Sequence, residues 1–480
     1  ETDAELQAIS RFTPGSELSL NDLEAMAARI TQHYREKGYF VARAYLPAQD
    51  ISNHVVTIAI SEGRLGKVEL RNGSRLDDNL ANGLLSGLEP GAPITLKPLE
   101  HRLLLLSDVP GVKVTSTLVP GTAPGTSDLI VAVEDGRRVT GQVDVDNAGN
   151  PYTGEYRLGA TVNLNNLAGH GDVASLRVVS SGKGLSYGRA SYQMQFGRAT
   201  AGLAYSRLDY ALGKQFEVLG AHGTAEVASI FGSIPLIRSR ESNLYFALGY
   251  DDKILKDELD LIPTANRRAH AGVATASLYG NHQDSIGAGG STSFYLGFAS
   301  GNLDIQTPSA LIADAASART NGHYSKLLFS AARLQQVSPS FSLYGSVTGQ
   351  LASKNLDPSE KIVLGGMDGV RAYPQGEAFG DQGYIANVEA RWLLNGASEN
   401  RVGDLQLIGF VDTGRVTINK NPWYAGPNDR NLSSYGVGLS WSDPGNFLVR
   451  AYYAQKLGNE LAMSAPDKSG RFWIQAVKYF

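Results

Sequence analysis

The sequence contains no cysteine and no long apolar segment. Without cysteine there are no disulfides, thiol nucleophiles or thiolate metal ligands, which suits a protein that crosses an oxidising compartment before it folds. No stretch approaches the roughly 18 consecutive apolar residues that a membrane-spanning helix needs. The formal net charge of -4 gives no general attraction to nucleic acid, so we predict no nucleic-acid partner.

Motifs for catalysis, metal binding and nucleotide binding are also missing. The segment from Gly184 to Gly188 matches the nucleophile-elbow pattern, but that pattern needs a strand, a sharp turn and a helix, and here it opens a strand. The eight histidines show no metal-binding spacing, and no phosphate-binding loop for ATP is present. The acidic residues Asp251, Asp252 and 257–260 are expected in a solvated outer loop. We therefore predict no enzymatic activity, no catalytic residue, no cofactor and no metal site.

The most extensive pattern that is present is a two-residue alternation of apolar and polar residues. It begins after Arg137 and Arg138 and continues to the C-terminus; for example, Leu158, Ala160 and Val162 alternate with polar or small neighbours. A closed barrel is the one membrane-spanning structure whose strands escape detection by hydropathy, because lumen-facing polar residues alternate with lipid-facing apolar ones. The pattern predicts a mainly β fold with a transmembrane antiparallel β-barrel over residues 137–480.

The alternating region divides into sixteen strands, an even number, as is usual for bacterial barrels. The predicted strands begin near residues 138, 154, 171, 186, 200, 223, 242, 268, 286, 321, 340, 383, 403, 432, 445 and 471. Short periplasmic turns and longer outer loops should alternate. With the front end in the periplasm, the long segments all fall outside: 253–267, 299–320, 352–382, 414–431 and 457–469. The segment 352–382 is then a long sixth outer loop.

The last predicted strand ends on an aromatic residue, Phe480, with Ile474 and Phe472 in phase with it. A terminal aromatic strand of this kind is the signal that barrel-assembly machinery reads, so these three residues are our candidate insertion signal. Lys478 interrupts the apolar phase. The pattern predicts outer-membrane lipid and the assembly machinery as partners.

The front end reads as two small α/β modules, residues 1–63 and 64–136. Ser19 and Asp22 form an N-terminal capping pattern for a helix that Gly38 ends. Short strands follow, and a second unit repeats the arrangement with helices near 77–85 and 95–106. Small sheets of this kind have free edges that can accept an extended polypeptide as an added strand. The pattern alone leaves open whether the modules bind such a chain or serve as spacers.

Several segments resemble one family, the outer-membrane transporters of two-partner secretion (the TpsB class, type Vb secretion, hemolysin secretion/activation type). In the front end, the segments 34–39, 108–112 and 120–129 resemble its paired POTRA modules. In the barrel, the segment 364–374 resembles the tip of the superfamily's sixth outer loop, with Gly365, Gly366, Val370 and Tyr373 as motif residues. The segment 410–414 resembles the partner motif on the thirteenth strand, with Phe410 and Gly414 as motif residues.

The resemblance implies that the sixth loop folds back into the lumen, where Arg371 pairs with Asp412. A guanidinium in a narrow lumen loses hydration, and a bidentate carboxylate restores its hydrogen bonds while anchoring a long loop. The alternative is that Arg371 is a solvated loop residue. Ala372 stands where the superfamily motif usually has glycine, which puts the backbone geometry of the tip in question.

The function that the resemblance implies is secretion of an unfolded TpsA-type exoprotein, captured by periplasmic POTRA modules and conducted through the barrel without ATP. An outer-membrane protein insertase of the same superfamily and a passive porin are the alternatives. Family members often carry an N-terminal plug helix and a linker. Because the first module's helix begins by about residue 20, we expect that this chain is either trimmed or without the plug.

Overall fold

The computed structural model describes residues 2–51, 54–394 and 402–480. The chain forms two compact units. One comprises residues 1–137 with 168–171, and the other comprises residues 138–167 with 172–480. Among the described residues, every helix is too short or too polar to span a membrane.

The first unit begins with a helical pair against a two-stranded sheet. Its elements are α1 (Asp3–Ser10), α2 (Leu20–Glu36), β1 (Arg43–Tyr45) and β2 (Ala59–Ser61). The hydroxyl of Ser19 accepts a hydrogen bond from the amide of Asp22, and the Asp22 carboxylate accepts one from the amide of Ser19 (2.8 Å), so the predicted cap of α2 is present. Ile30 and Tyr34 of α2 pack against Ala42 and Ala44.

The rest of this unit is a three-stranded sheet covered by two helices. Its elements are β3 (Arg64–Asn72), α3 (Asp78–Leu85), α4 (Leu96–Ser107), β4 (Val112–Pro120) and β5 (Thr126–Asp135). The strand order is β3-β5-β4, with β3 parallel and β4 antiparallel to the central strand. Leu84 and Leu106 of the helices pack on Val131 and Val133 of β5, all fully buried. Strand β4 is therefore an edge of the sheet.

The second unit is a closed antiparallel barrel of sixteen strands, which confirms the predicted fold class. Its strands are β6 (Val139–Asp146), β7 (Arg157–Asn165), β8 (Val173–Ser180), β9 (Leu185–Phe196), β10 (Ala199–Ala211), β11 (Ala221–Arg238), β12 (Ser242–Leu259), β13 (Arg267–Asp284), β14 (Gly290–Ile305), β15 (Gly322–Ser338), β16 (Phe341–Ala352), β19 (Gln382–Leu393), β20 (Asp404–Thr417), β21 (Asp429–Asp443), β22 (Phe447–Lys456) and β23 (Gly470–Tyr479). The short strands β17 (Ile362–Val363) and β18 (Phe379–Gly380) pair with each other between β16 and β19.

The barrel closes between its first and last strands. Strand β23 pairs with β6 from Gln475 opposite Asp146 to Tyr479 opposite Gln142. Beyond the last pair, the backbone of Phe480 exchanges two hydrogen bonds with Gly141, each 3.0 Å long. The C-terminal residue therefore takes part in closing the ring.

Strands β12, β14, β20 and β21 extend further into the outer connections than the alternation predicts. Asp251 and Asp252 lie inside β12, and the acidic run 257–260 is at its end rather than in an outer loop. Their charges are accommodated in the strand by partners on neighbouring strands, since Asp251 accepts a hydrogen bond from Ser229 and Asp252 pairs with His270. The outer connections consequently shorten to residues 260–266, 306–321 and 418–428, and the second contains a helix, α5 (Pro308–Ala315).

Candidate functional site

The sixth outer loop, residues 353–381 between β16 and β19, folds into the barrel lumen. Its tip, residues 364–374, packs on inward-facing residues of β19, β20, β21, β22 and β23, and Leu364, Val370 and Tyr373 are fully buried there. The strands β17 and β18 pair the two arms of the loop. The tip is therefore part of a packed core inside the barrel.

Glycines shape the backbone of the tip. Gly366 has a φ of +130°, a conformation that side chains with a Cβ rarely adopt. A Cβ on Gly369 would lie 2.1 Å from the carbonyl oxygen of Leu364, so the chain can double back only with glycine there. The turn is closed by the amide of Val370, which donates to the same carbonyl oxygen at 2.8 Å. This turn points the next residue, Arg371, at the barrel wall.

Arg371 contacts Asp412 of β20 through three of its nitrogens. Its Nη2 lies 2.6 Å from Asp412 Oδ1, its Nε lies 3.0 Å from Oδ2, and its backbone amide donates to Oδ2 at 3.1 Å. Arg371 is 4% exposed and Asp412 is fully buried, so both charged groups have lost their hydration. The hydrogen bonds of the ion pair compensate for that loss. The structure thus brings together the two residues that the sequence analysis paired.

Five further residues complete this network, and the sequence analysis named none of them. Asn387 and Ser434 each donate to Asp412 at 2.8 Å, and Glu389 accepts from Arg371 Nη1 at 2.8 Å. Trp473 Nε1 donates to the carbonyl oxygen of Arg371 at 2.6 Å, and the Tyr452 ring lies 5.0 Å from the guanidinium. These residues lie on β19, β21, β22 and β23 and meet Arg371 only because the strands pair and the loop folds back, so no contiguous motif could reveal them.

The strand motif residues Phe410 and Gly414 lie on the same inward face of β20 as Asp412. The guanidinium carbon of Arg371 lies 3.5 Å from the centre of the Phe410 ring, a cation–π contact in a desolvated site. A Cβ on Gly414 would lie 3.0 Å from Leu364 Cδ2 and 3.0 Å from the carbonyl oxygen of Tyr384. Glycine at this position therefore lets the tip approach the wall.

The last loop motif residue, Tyr373, anchors the tip on the other side. Its hydroxyl donates to the carbonyl oxygen of Glu460 at 3.1 Å, and Lys456 Nζ lies 4.8 Å from the centre of its ring. Nearby, the carboxylate of the fully buried Glu377 accepts from the amide and the hydroxyl of Ser464 and pairs with Arg430 at 3.1 Å. The loop is thus also tied to the final outer loop.

Ala372 fits the tip although glycine is usual at this position in the superfamily motif. Its φ lies outside the left-handed region, so a Cβ causes no backbone strain. Its side chain is fully buried in the core cluster around the tip. The departure from the motif therefore fills space that a glycine would leave empty.

The remaining sequence-predicted residues lie away from this network. Phe472, Ile474 and Phe480 face outward on the last strand and are 54%, 40% and 47% exposed. Ser186, the central serine of the nucleophile-elbow match that the sequence analysis sets aside, lies in β9, and the next element is the strand β10. Among the described residues, no group of three histidine, aspartate or glutamate side chains is placed to hold a metal ion.

A cavity of about 380 Å³ lies beside the loop tip inside the barrel. Arg371, Glu389, Arg391 and Arg450 line it, so the space next to the tip is charged and polar. Arg391 pairs with Glu389 at 2.7 Å, and its guanidinium lies over the Tyr344 ring. The lumen at this depth is therefore narrow and partly filled by the loop.

Known proteins with similar sequences and structures share both the front module and the barrel. A sequence model described as haemolysin secretion/activation protein ShlB/FhaC/HecB matches residues 125–441, and a model of the ShlB-type POTRA domain matches residues 2–63. The heme/hemopexin transporter protein HuxB of Haemophilus influenzae is 31% identical over 99% of this chain and 84% of its own length. The outer membrane transporter CdiB of Dickeya dadantii is 26% identical over 84% of this chain and 71% of its own.

The three-dimensional fold is also similar to a solved structure. The structure of CdiB from Escherichia coli superimposes on this chain with a TM-score of 0.73 at 21% sequence identity, covering 100% of this chain and 88% of that one. The POTRA match begins before α1, so this helix, which the sequence analysis missed, lies within the first module. The chain belongs to the ShlB/FhaC/HecB family of outer-membrane transporters of two-partner secretion, with its POTRA domains in the periplasm.

Proposed function

We propose that this protein captures an unfolded exoprotein with its POTRA modules and conducts it outward through the barrel without hydrolysing a nucleotide. The observation that carries the proposal is the sixth loop, which is held inside a closed barrel by a buried Arg371–Asp412 pair. A loop fixed in this way governs how much of the lumen is open. The transport step needs no catalytic residue, because folding of the exoprotein outside disfavours its return.

The domain division that we propose is residues 1–63 and 64–136 as two POTRA modules and residues 137–480 as the barrel. The second module offers a candidate capture edge in β4. In the described part of the chain no strand pairs with β4 on the side away from β5. An extended polypeptide can add to such an edge through main-chain hydrogen bonds, while side-chain contacts supply selectivity. This argument favours binding over a spacer role.

The partners that we propose follow from the same arrangement. The secreted TpsA-type exoprotein meets the modules in an extended form. The outward-facing Phe472, Ile474 and Phe480 present an apolar stripe that suits recognition by the barrel-assembly machinery and contact with outer-membrane lipid. A membrane-protein insertase is the less favoured alternative, because insertases that resemble the barrel-assembly factor typically carry more POTRA modules. A passive porin would not need the front modules.

The test compares proteins released into the medium by the native host. The strains carry the intact gene, a deletion of the gene, or a variant lacking residues 1–136. We expect one large protein to disappear from the medium in both altered strains and to return with the intact gene. A porin would instead keep its function without residues 1–136, and an unchanged set of released proteins would refute capture by these modules.

A further inference from the structure

The sixth loop has a second set of buried charges on its way into the lumen. We call residues 356–363 the loop stem. Glu360 of the stem is 4% exposed, and its carboxylate lies between Lys253 Nζ (2.6 Å) of β12 and Lys326 Nζ (2.8 Å) of β15. Asp357, also 4% exposed, pairs with Arg267 of β13. The stem is thus attached to the wall by two carboxylates and three basic residues.

The two arms of the loop are joined where the stem meets β18. Ile362 and Val363 pair with Gly380 and Phe379, and Lys361 Nζ lies 2.9 Å from the buried carboxylate of Asp381. Gln350 of β16 donates to the carbonyl oxygens of both Glu360 (2.9 Å) and Asp381 (3.0 Å). Because the arms are fastened to each other, the stem moves only together with the returning arm.

The two attachments of the loop lie on different sectors of the barrel. The stem binds β12, β13 and β15, whereas Arg371 at the tip contacts β19, β20 and β23. In the closed ring these sectors are neighbours, with β16 between them, and Gln350 of β16 also contacts the stem. The loop is therefore held to the lumen wall at two places, and both attachments keep it inside the barrel.

The chemistry of the two attachments indicates which one yields. The Arg371 side chain is 5% exposed and stacks on Phe410, so releasing it would leave a buried carboxylate without its partner. The lysine side chains at the stem are 18% and 12% exposed. An ammonium group is a strongly hydrated charge on a flexible chain, and water already reaches these two, so they can regain hydration as the stem leaves. The stem is the attachment that is easier to break.

Free space lies next to the stem as well. A cavity of about 630 Å³ is bounded on one side by Leu356, Pro358 and Lys361 and on the other by α5 and the loop after β20, including Trp423. The stem therefore borders unfilled space on one face.

We propose that Glu360 and Asp357 are positioning residues that hold the loop stem as a releasable outer attachment, while Arg371 at the tip remains as the fixed one. The transport pathway opens when the stem leaves Lys253, Lys326 and Arg267. This inference rests on the proposed function for its biological meaning. Its test measures ion flow through the purified protein, which requires no exoprotein and so can fail independently of secretion.

The experiment uses the absence of cysteine in the chain. In a double variant, Lys253→Cys with Glu360→Cys, a reducible bifunctional thiol reagent links the stem to β12. The purified full chain is placed in a planar lipid bilayer, and potassium chloride is the conducted probe. Large transient increases in conductance would mark opening of the lumen. We expect them to disappear from the linked protein. Reduction of the linker should restore them at a frequency above that of the unmodified chain, because the ion pairs are gone.

Two further variants control for folding and for the linker itself. Ser330→Cys with Thr348→Cys links neighbouring wall strands at paired positions and leaves the stem free, so its openings should persist after linking. Glu360→Gln keeps the size of the side chain and removes its charge, and we expect more frequent openings with unchanged heat resistance of the barrel. Equal opening frequencies for the linked and reduced stem, or for Glu360→Gln and the unmodified chain, would overturn the proposal.

Discussion

Arg371 holds the tip of the sixth loop through several kinds of contact at once. Its side chain pairs with Asp412 and Glu389, stacks on Phe410, and its carbonyl oxygen accepts from Trp473. Removing one member of a buried ion pair leaves the other charge uncompensated, which typically costs about 3–5 kcal/mol. The same loss at an exposed pair costs about 0–1 kcal/mol.

We predict that Arg371→Ala frees the loop tip from the wall. Asp412 would then keep only its neutral donors, so the tip should become accessible to added protease in intact outer membranes. Arg415→Ala is the matched control, because Arg415 lies on the same strand in an exposed pair with Asp429. We expect cleavage within residues 353–381 only for Arg371→Ala. Equal protease resistance of both variants would mean that Arg371 does not anchor the loop.

Gly414 allows a second test of how the loop tip is held against β20, based on steric fit rather than on charge. A valine at this position would press on Leu364 and Val370, whose atoms already lie 3.0 and 3.4 Å from the site of an added Cβ. Gly409 is the control on the same strand, because an added Cβ there meets nothing within 4 Å. We predict that Gly414→Val raises proteolysis of the sixth loop and that Gly409→Val does not. If both variants behave alike, close packing of the tip on β20 is unimportant.

Only part of this residue network could be predicted from the sequence. The glycine-rich loop segment and the Phe410–Gly414 segment are contiguous motifs, so both partners of the Arg371–Asp412 pair were named. Asn387 and Ser434 lie opposite Asp412 on the two strands that pair with β20, and Glu389 is also on β19. Trp473 is 102 positions from Arg371. These contacts depend on strand register and on the folding back of the sixth loop, for which a single sequence carries no local signal.

At the scale of secondary-structure elements, α2 of the first module shows how a local sequence signal determines where a helix begins. The signal is the capping pair Ser19 and Asp22. Its capping box lowers the pKa of the Asp22 carboxyl, first through the hydrogen bond with the Ser19 side chain and then through the Ser19 amide. A carboxyl with a lowered pKa stabilises the folded state above its unfolded pKa. That contribution is lost as the pH falls through the folded pKa.

We therefore predict that Asp22→Ala speeds amide hydrogen exchange in residues 20–36 near neutral pH. In strongly acidic solution the carboxyl is protonated in both states, so the difference from the unmodified chain should shrink. Exchange measured by mass spectrometry on the full chain at both pH values decides this. A difference that stays constant with pH would show that the charge of Asp22 does not contribute.

The barrel strands were largely predictable because each carries its own alternation. The thirteenth strand, for example, was predicted to begin near residue 403 and begins at Asp404. The errors have physical causes. The charged residues in β12 are predicted in a loop because their cross-strand partners cannot be read from the sequence. The helices α1 and α5 are not predicted, whereas the equally short α3 is.

At the scale of the whole molecule, the barrel is closed and its lumen holds the sixth loop, which is attached to the wall on two sectors. Under the proposed function, secretion depends on moving this loop. The central claim is therefore that the exoprotein passes through the lumen beside the sixth loop.

The most direct test places a photo-crosslinking amino acid at Ser346, which lines the lumen cavity, or at its neighbour Val347, on the opposite face of β16. Alternate residues of a strand face opposite sides of the barrel wall. The two positions therefore differ in whether the crosslinking side chain faces the lumen or the outside of the barrel. In the native host during secretion, we predict a crosslink from Ser346, and none from Val347, to the protein that the gene deletion removes from the medium. Crosslinks from Val347 alone, or from neither position while secretion continues, would contradict passage through the lumen.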